Sequence, residues 1–199
     1  MAITIKKVST KRELKKFIRF NYELYKENPY SVPDLYDDML NTFNKKKNAA
    51  FEFCEAEYFL AYKDGKIVGR IAGIINHRAN ATWNKKDVRF GWIDFIDDLE
   101  VSSRLLQTVE EWGKSKGMEN IQGPLGFTDF DAEGMLIEGF DQLSTWQPST
   151  IIPTIRNTWR NWDLRKMPTG WNTKFIFLTP SLRSTSAYPI LFSVNITSR

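Results

Sequence analysis

The sequence predicts an α/β domain, a mixed sheet with helices packed on its faces. Asp64-Gly65 sits between two apolar runs, YFLAY and IVGRIAGIIN, and predicts an antiparallel hairpin. Apolar residues recur at helical spacing over 11–25 and 102–116. A strand–helix–strand step over 89–127 is a crossover, which makes its two strands parallel neighbours.

Taken in order, residues 3–8 (ITIKKV) alternate as a first strand. Ser9 or Thr10 caps the next helix, with Glu13 near the capping-box position. Leu14, Phe17, Ile18, Tyr22 and Leu24 form its apolar face, and Asn28-Pro29 ends it. Pro33 opens a second helical stretch with Leu35, Met39 and Phe43 on one face. Strands follow at 58–62, 67–76 and 89–96. A helix over 102–116 carries Leu105, Leu106, Val109 and Trp112, with Ser102 or Ser103 as cap and Gly117 as its left-handed end. Residues 120–127 (NIQGPLGF) form one more strand and run into an Asp- and Gly-rich loop. The order is β-α-α-β-β-β-α-β, with no internal repeat.

A chain of 199 residues points to one domain, or one domain and a tail. The hydrophobic share of 42% is enough for a core. No run approaches the roughly 18 apolar residues of a membrane helix, and MAITIKKVST holds no apolar stretch of signal-peptide length. A soluble, cytoplasmic protein is the expectation. One cysteine, Cys54, excludes an internal disulfide, and one histidine, His77, excludes a multi-histidine metal site. The net charge of +4 is unevenly placed. Residues 1–144 carry 21 Lys+Arg against 23 Asp+Glu, whereas residues 145–199 carry seven against one. The high pI belongs to the tail and is no argument that the body binds nucleic acid. The basic run Lys45–Lys47 reads as a solvated loop or as a phosphate contact.

The element order and the strings NPYSVPDLYDDML, FLAYKDGKIVGRIAGIINHRAN, FGWIDFIDDLEV and GPLGFTDFDAEGMLIEGFD resemble the GNAT superfamily of acyl-CoA N-acyltransferases, within an uncharacterised bacterial branch. The resemblance spans roughly residues 28–141. It implies a GNAT-like fold and transfer of an acyl group from acetyl-CoA or another acyl-CoA to a small-molecule or lipid amine, with no metal. In GNAT enzymes the turn after the fourth strand binds the CoA pyrophosphate through backbone N–H groups and the helix N-terminus. Here that turn is Asp97-Asp98-Leu99-Glu100, without glycine and strongly acidic. The N–H groups of Val101, Ser102, Ser103 and Arg104 and the two serine hydroxyls remain as cofactor contacts. A backbone N–H of the splayed fourth strand would hold the oxyanion.

Asp94 on the matching strand is a candidate base, with Asp97 and Asp98 as others. Asp97 and Asp98 also read, and more simply, as the acidic first turn of a helix. Asp129, Asp131 and Glu133 either hold a cationic amine or form a turn of solvated charges; a calcium loop fits poorly because the EF-hand spacing is missing. His77 reads as a surface residue, Cys54 as an inert buried thiol, and Trp83, Trp92 and Trp112 as core or edge aromatics.

Residues 1–144 thus form an incomplete GNAT-like domain, and 145–199 a different kind of chain. Glu occurs twelve times before residue 145 and never after; the tail holds 15 Ser+Thr and five prolines. Only 174–178 and 190–194 look strand-like. Relatives continue after GFDQL with a Tyr-Asn-x-Pro-Tyr-Tyr motif, a helix and a Leu-Gly-Phe turn. Codons exist for residues 146–174 that, read from one base earlier, spell MATIYNYPYYPQHMEELGFEKDADWVEY, which restores all three. The tail therefore reads as an out-of-frame product. An open sheet edge, weak stability, self-association and little catalysis are expected of this chain. A GNAT-fold binding or scaffold protein without CoA chemistry is the alternative function, and nucleic-acid binding by the tail a third.

Overall fold

The computed structural model describes residues 2–128, 130–134, 165–166 and 192–196. Strand β1 is Thr4–Lys7, followed by helix α1, Lys11–Tyr25. Thr10 caps α1: its hydroxyl accepts the Glu13 N–H, and the Glu13 carboxylate accepts the Thr10 N–H, closing the capping box. Helix α2 is Tyr36–Thr42, and a single 3-10 turn covers Ala49–Glu52. Strands β2 (Cys54–Lys63) and β3 (Lys66–Asn76) form the expected hairpin. Its turn residues Asp64 and Gly65 have φ of 52° and 75°, the left-handed pair that matches strand twist. Helix α3 (His77–Thr82), strand β4 (Asp87–Phe95), helix α4 (Leu99–Ser115) and strand β5 (Asn120–Gly123) follow. Two short segments, β6 (Arg165–Lys166) and β7 (Phe192–Asn195), join the sheet from the tail.

The sheet runs β1-β2-β3-β4-β5-β7-β6. Neighbours are antiparallel except β4 and β5, which pair in parallel as the α4 crossover requires. Strand alternation sorts side chains into two cores. Phe59, Ile71, Ile75, Val88, Phe90 and Ile93 meet Val101, Leu105, Leu106 and Val109 of α4. On the other face Tyr58, Leu60, Ala72, Ile74 and Trp92 meet Phe17 and Ile18 of α1, with Phe43 and Phe127. Each fully buried side chain of this size contributes about 1.5–3 kcal/mol.

Strand β4 carries a bulge. Ala72 pairs with Gly91 and Arg70 with Asp94, so Ile71 faces two residues, Trp92 and Ile93. Trp92 has φ of 43°, a conformation that costs a non-glycine residue about 1–3 kcal/mol. The extra residue resets the alternation. With an unbroken two-residue period Asp94 would share the side of Phe90 and enter the α4 core; the bulge turns it toward α1 instead. Strands β4 and β5 pair at Asp87–Asn120, Val88–Ile121 and Arg89–Gln122. The Leu125 N–H then donates to Phe90 C=O at 2.8 Å, while β5 itself ends at Gly123 and β4 runs on to Phe95.

Several expectations change. α4 starts at Leu99, three residues early, because the Asp98 carboxylate accepts the Glu100 N–H and is the better cap; Ser102 lies inside the helix. Leu35 is 72% exposed and does not share the inner face of Met39 and Phe43. Trp83 is 71% exposed, neither core nor edge, whereas Trp92 is buried and Trp112 packs on the α4 core. The outer edge of β5 is not open: β7 pairs with it over four residues, and buried Ile196 donates its N–H to Glu119 C=O at 2.8 Å. The segment FSVN supplies a strand of matching length there. Residues 174–178, read as a strand, lie outside the described residues.

Candidate functional site

The carboxyl end of β4 gathers the chemistry. The Asp94 carboxylate accepts three hydrogen bonds, from Arg70 Nε at 2.7 Å, Tyr25 Oη at 3.0 Å and Asn21 Nδ2 at 3.2 Å. Arg70 stands opposite on β3 and also donates from Nη1 to Phe17 C=O at 3.0 Å. Its guanidinium lies 5.1 Å from the Phe17 ring centre. Both charged side chains are nearly sealed, 3% and 4% exposed. Burial, and next the Asp94 charge, push the Tyr25 hydroxyl well above its ordinary range, so it stays a donor. The network pins α1 to the strand pair where β4 leaves β5.

Asp34, on the loop between α1 and α2, is within electrostatic reach of Arg70 and Asp94. Desolvation raises its pKa, the Arg70 charge opposes this, and part of the residue still meets solvent. Its backbone carbonyl accepts the Tyr22 hydroxyl at 2.7 Å.

The turn after β4 is built around Asp98. Its carboxylate is held by Lys63 Nζ at 2.8 Å, which is the main reason its pKa falls; desolvation acts against this. The same carboxylate takes the Glu100 N–H at 3.0 Å. The helix end thus already carries an anion of its own. Among the cofactor contacts expected from sequence, Val101 and Ser102 are fully buried and the Ser102 hydroxyl donates to Leu99 C=O; Ser103 is half-buried and Arg104 exposed. Asp97 is exposed.

The acidic loop lies elsewhere. Asp131 closes its own turn by accepting the Thr128 N–H at 2.9 Å. It borders a groove of about 280 Å³ shared with Asn41, Thr42, Lys47 and Asn48. That groove sits near Arg89, whose Nη1 donates to Gly126 and Phe127 carbonyls, five residues before Asp94. The groove's Phe127 meets the Trp92 ring at 5.5 Å between centroids, but no hydrogen bond or ion pair among the described residues joins Asp131 to Asp94. Glu133 is half-buried, and Asp129 lies outside the described residues. Lys47 donates to Asn41 Oδ1, a local contact within the basic run.

His77 is exposed and pairs with Glu55 at 2.9 Å. Cys54 is buried, and desolvation raises its pKa to about 11. Folded protein at pH 8 should therefore react with a thiol reagent far more slowly than protein in urea; equal rates would contradict the burial. No group of three or more metal-ligating residues occurs among the described residues.

Residues that pattern reading missed are Arg70, Tyr25, Asn21 and Asp34. Arg70 within the apolar string IVGRIAGII was the available signal: a charge at a buried strand position needs a buried partner.

This architecture is the GNAT N-acyltransferase fold. A GNAT-family acetyltransferase from Staphylococcus aureus Mu50 superposes with a TM-score of 0.56 at 16% identity, covering 98% of this chain and 99% of that one. No family model matches the chain. Among curated proteins, Protein YghO of Escherichia coli K12 is 37% identical over 131 residues, 66% of this chain and 33% of that protein. The bacterial ceramide synthase of Caulobacter vibrioides is 31% identical over 135 residues, 67% of this chain and 35% of that protein. The chain spans about a third of the length of these curated relatives.

Proposed function

We propose that the intact protein is an N-acyltransferase that moves a long acyl group from acyl-CoA to the primary amine of a lipid-like acceptor. The observation that carries this is the β4 bulge at Trp92, at the point where β4 runs on past β5, in a chain similar to a ceramide synthase. Ceramide is an amide of an amino alcohol, so its synthesis requires an activated acyl group and a free amine. The amine nitrogen attacks the thioester carbonyl, the C–N bond forms, the C–S bond breaks, and the CoA sulfur leaves as thiolate. A backbone N–H of the bulge stabilises the developing oxyanion.

Asp94 is committed to Arg70, Tyr25 and Asn21, and its role is to position β4 and α1 around the reacting atoms. Asp34, near the same pair but open to solvent, takes the amine proton. Asp97 and Asp98 shape the donor entrance, and the Val101–Arg104 helix end supports it. Asp131, which closes its own turn beside a separate groove, has no part in this step.

Asp98 bears on the second reading, a GNAT-fold binding protein without CoA chemistry. Its carboxylate accepts the Glu100 N–H at the helix end where the resemblance to GNAT enzymes implies a pyrophosphate. Asp98→Ser keeps a capping oxygen and removes the charge, so it should tighten acyl-CoA binding about fivefold. Calorimetric titration of the chain in its second reading frame from residue 146, with acetyl-CoA and with a long-chain acyl-CoA, tests both points. Binding of the long-chain donor, tightened by the substitution, supports the transferase; no binding of either donor by parent and variant favours the scaffold.

A further inference from the structure

We propose that the protein docks on anionic lipid bilayers through the outer face of α1, with the α1–α2 loop dipping into the bilayer surface beside the site. This rests on the reading of the acceptor as a lipid amine. Such an acceptor partitions into membranes at about 0.8 kcal/mol per methylene, so an enzyme acting on it must meet it there.

Two independent features fit that surface. Lys11, Arg12, Lys15, Lys16 and Arg19 are all exposed on α1, with Lys6 beside them on β1. Over this stretch the only acid is Glu13, and its carboxylate is consumed by the Ser9 and Thr10 N–H groups. The inner face of α1 is spent on Phe17, Ile18 and Phe20; Arg19 lies over the Tyr36 ring and Lys6 over Tyr62, while Lys11, Arg12, Lys15 and Lys16 stay exposed. Lys26 continues the cationic face to the helix end, interrupted by Glu23. Each lysine or arginine held near an anionic leaflet is attracted to it, and several in a row give reversible binding.

The second feature is the loop that α1 leads into. Val32 is 61% exposed, Leu35 72% and Tyr30 38%, three of the six large apolar residues that reach the surface among the described residues. Pro29 and Pro33 stiffen the loop, and the Tyr22 hydroxyl ties its Asp34 carbonyl back to α1. One segment therefore points apolar side chains outward and brings Asp34 near Arg70 and Asp94. A long-chain amine leaving the bilayer at Val32 and Leu35 would meet the Asp34 carboxylate on the same loop.

Flotation with vesicles of phosphatidylglycerol and phosphatidylcholine, against phosphatidylcholine alone, tests this on the full chain. Binding should require the anionic lipid and weaken as salt rises. Lys15→Glu/Lys16→Glu should lower it about tenfold. Val32→Asp/Leu35→Asp should lower it comparably, while Trp83→Asp, beyond α3 at the other end of the sheet, should leave it unchanged. Thermal melts establish that each variant is folded. Undiminished binding by both double variants would assign it to the basic tail and overturn the proposal. So would a loop variant that turns a dimer into a monomer and leaves flotation intact, since the apolar tips would then meet a second copy. Acylation of a short, water-soluble amine by the chain carrying the second-frame string separates the two readings. Amide without flotation ends the docking proposal alone, and flotation without amide keeps docking and counts against the transferase.

Discussion

Arg70→Met should lower the unfolding free energy by about 3–5 kcal/mol, read as a drop in the urea midpoint. The substitution leaves Asp94 charged and 4% exposed, with only Tyr25 and Asn21 as donors, and strips a donor from the Phe17 carbonyl. Asp94→Leu should cost a similar amount for the opposite reason, a buried guanidinium without its anion. The double variant Arg70→Met/Asp94→Leu should lose clearly less than the two single losses together, because no uncompensated charge remains. Additive losses would mean that the pair contributes packing alone. If the pair also positions the site, Arg70→Lys should recover stability better than turnover, since an ammonium cannot reproduce the fork to Asp94 and the Phe17 carbonyl.

Gly91→Ala should act on the opening between strands. A β-carbon at Gly91 would overlap the Leu125 carbonyl oxygen, a backbone atom that cannot rotate away. Either β4 or the 124–126 segment must move, at about 1–3 kcal/mol, and the Leu125–Phe90 hydrogen bond breaks first. Because Trp92 follows directly, acyl-donor affinity should fall along with stability. Gly65→Ala is the control: its added β-carbon meets open space and pays only for a φ of 75°. A Gly91→Ala protein that melts and binds donor like the parent would show that β4 and β5 are not packed this closely.

Much of the scaffold was legible because its signals are local. Thr10 and Glu13 mark the start of α1, Asp64-Gly65 marks the hairpin, and Gly117 with φ of 75° marks the end of α4. The parallel pairing of β4 and β5 follows from one crossover. Asp94 was named from the sequence, but its orientation and its partners were hidden for a different reason. RFGWIDFI reads as a regular strand, and regular alternation puts Asp94 on the wrong side; one bulged residue, visible only against β3, reverses it. Arg70 and Asp94 lie 24 residues apart, and Tyr25 and Asp94 69 residues apart, so no local pattern joins them. The start of α4 slipped because Asp98 outcompetes Ser102 as a cap, and in doing so puts a carboxylate at the N-terminus of the helix.

The tail enters the same physics. β7 covers β5 over four residues, while Pro148, Pro153, Pro168, Pro180 and Pro189 interrupt the sequence around it. We propose that residues from about 145 are read out of frame and that the second-frame string completes the acyl-CoA groove. Reading the gene across codon 145 checks this directly: bases that cannot encode that string would end the idea.

The most direct test of the central claim is amide formation by the chain carrying MATIYNYPYYPQHMEELGFEKDADWVEY from residue 146, incubated with a long-chain acyl-CoA and a long-chain amino alcohol and analysed by mass spectrometry. An N-acyl product with matching release of CoA thiol is expected, lost in Asp34→Asn and much reduced in the chain as it stands. A folded, monomeric protein of that sequence that yields neither amide nor free thiol would contradict the claim.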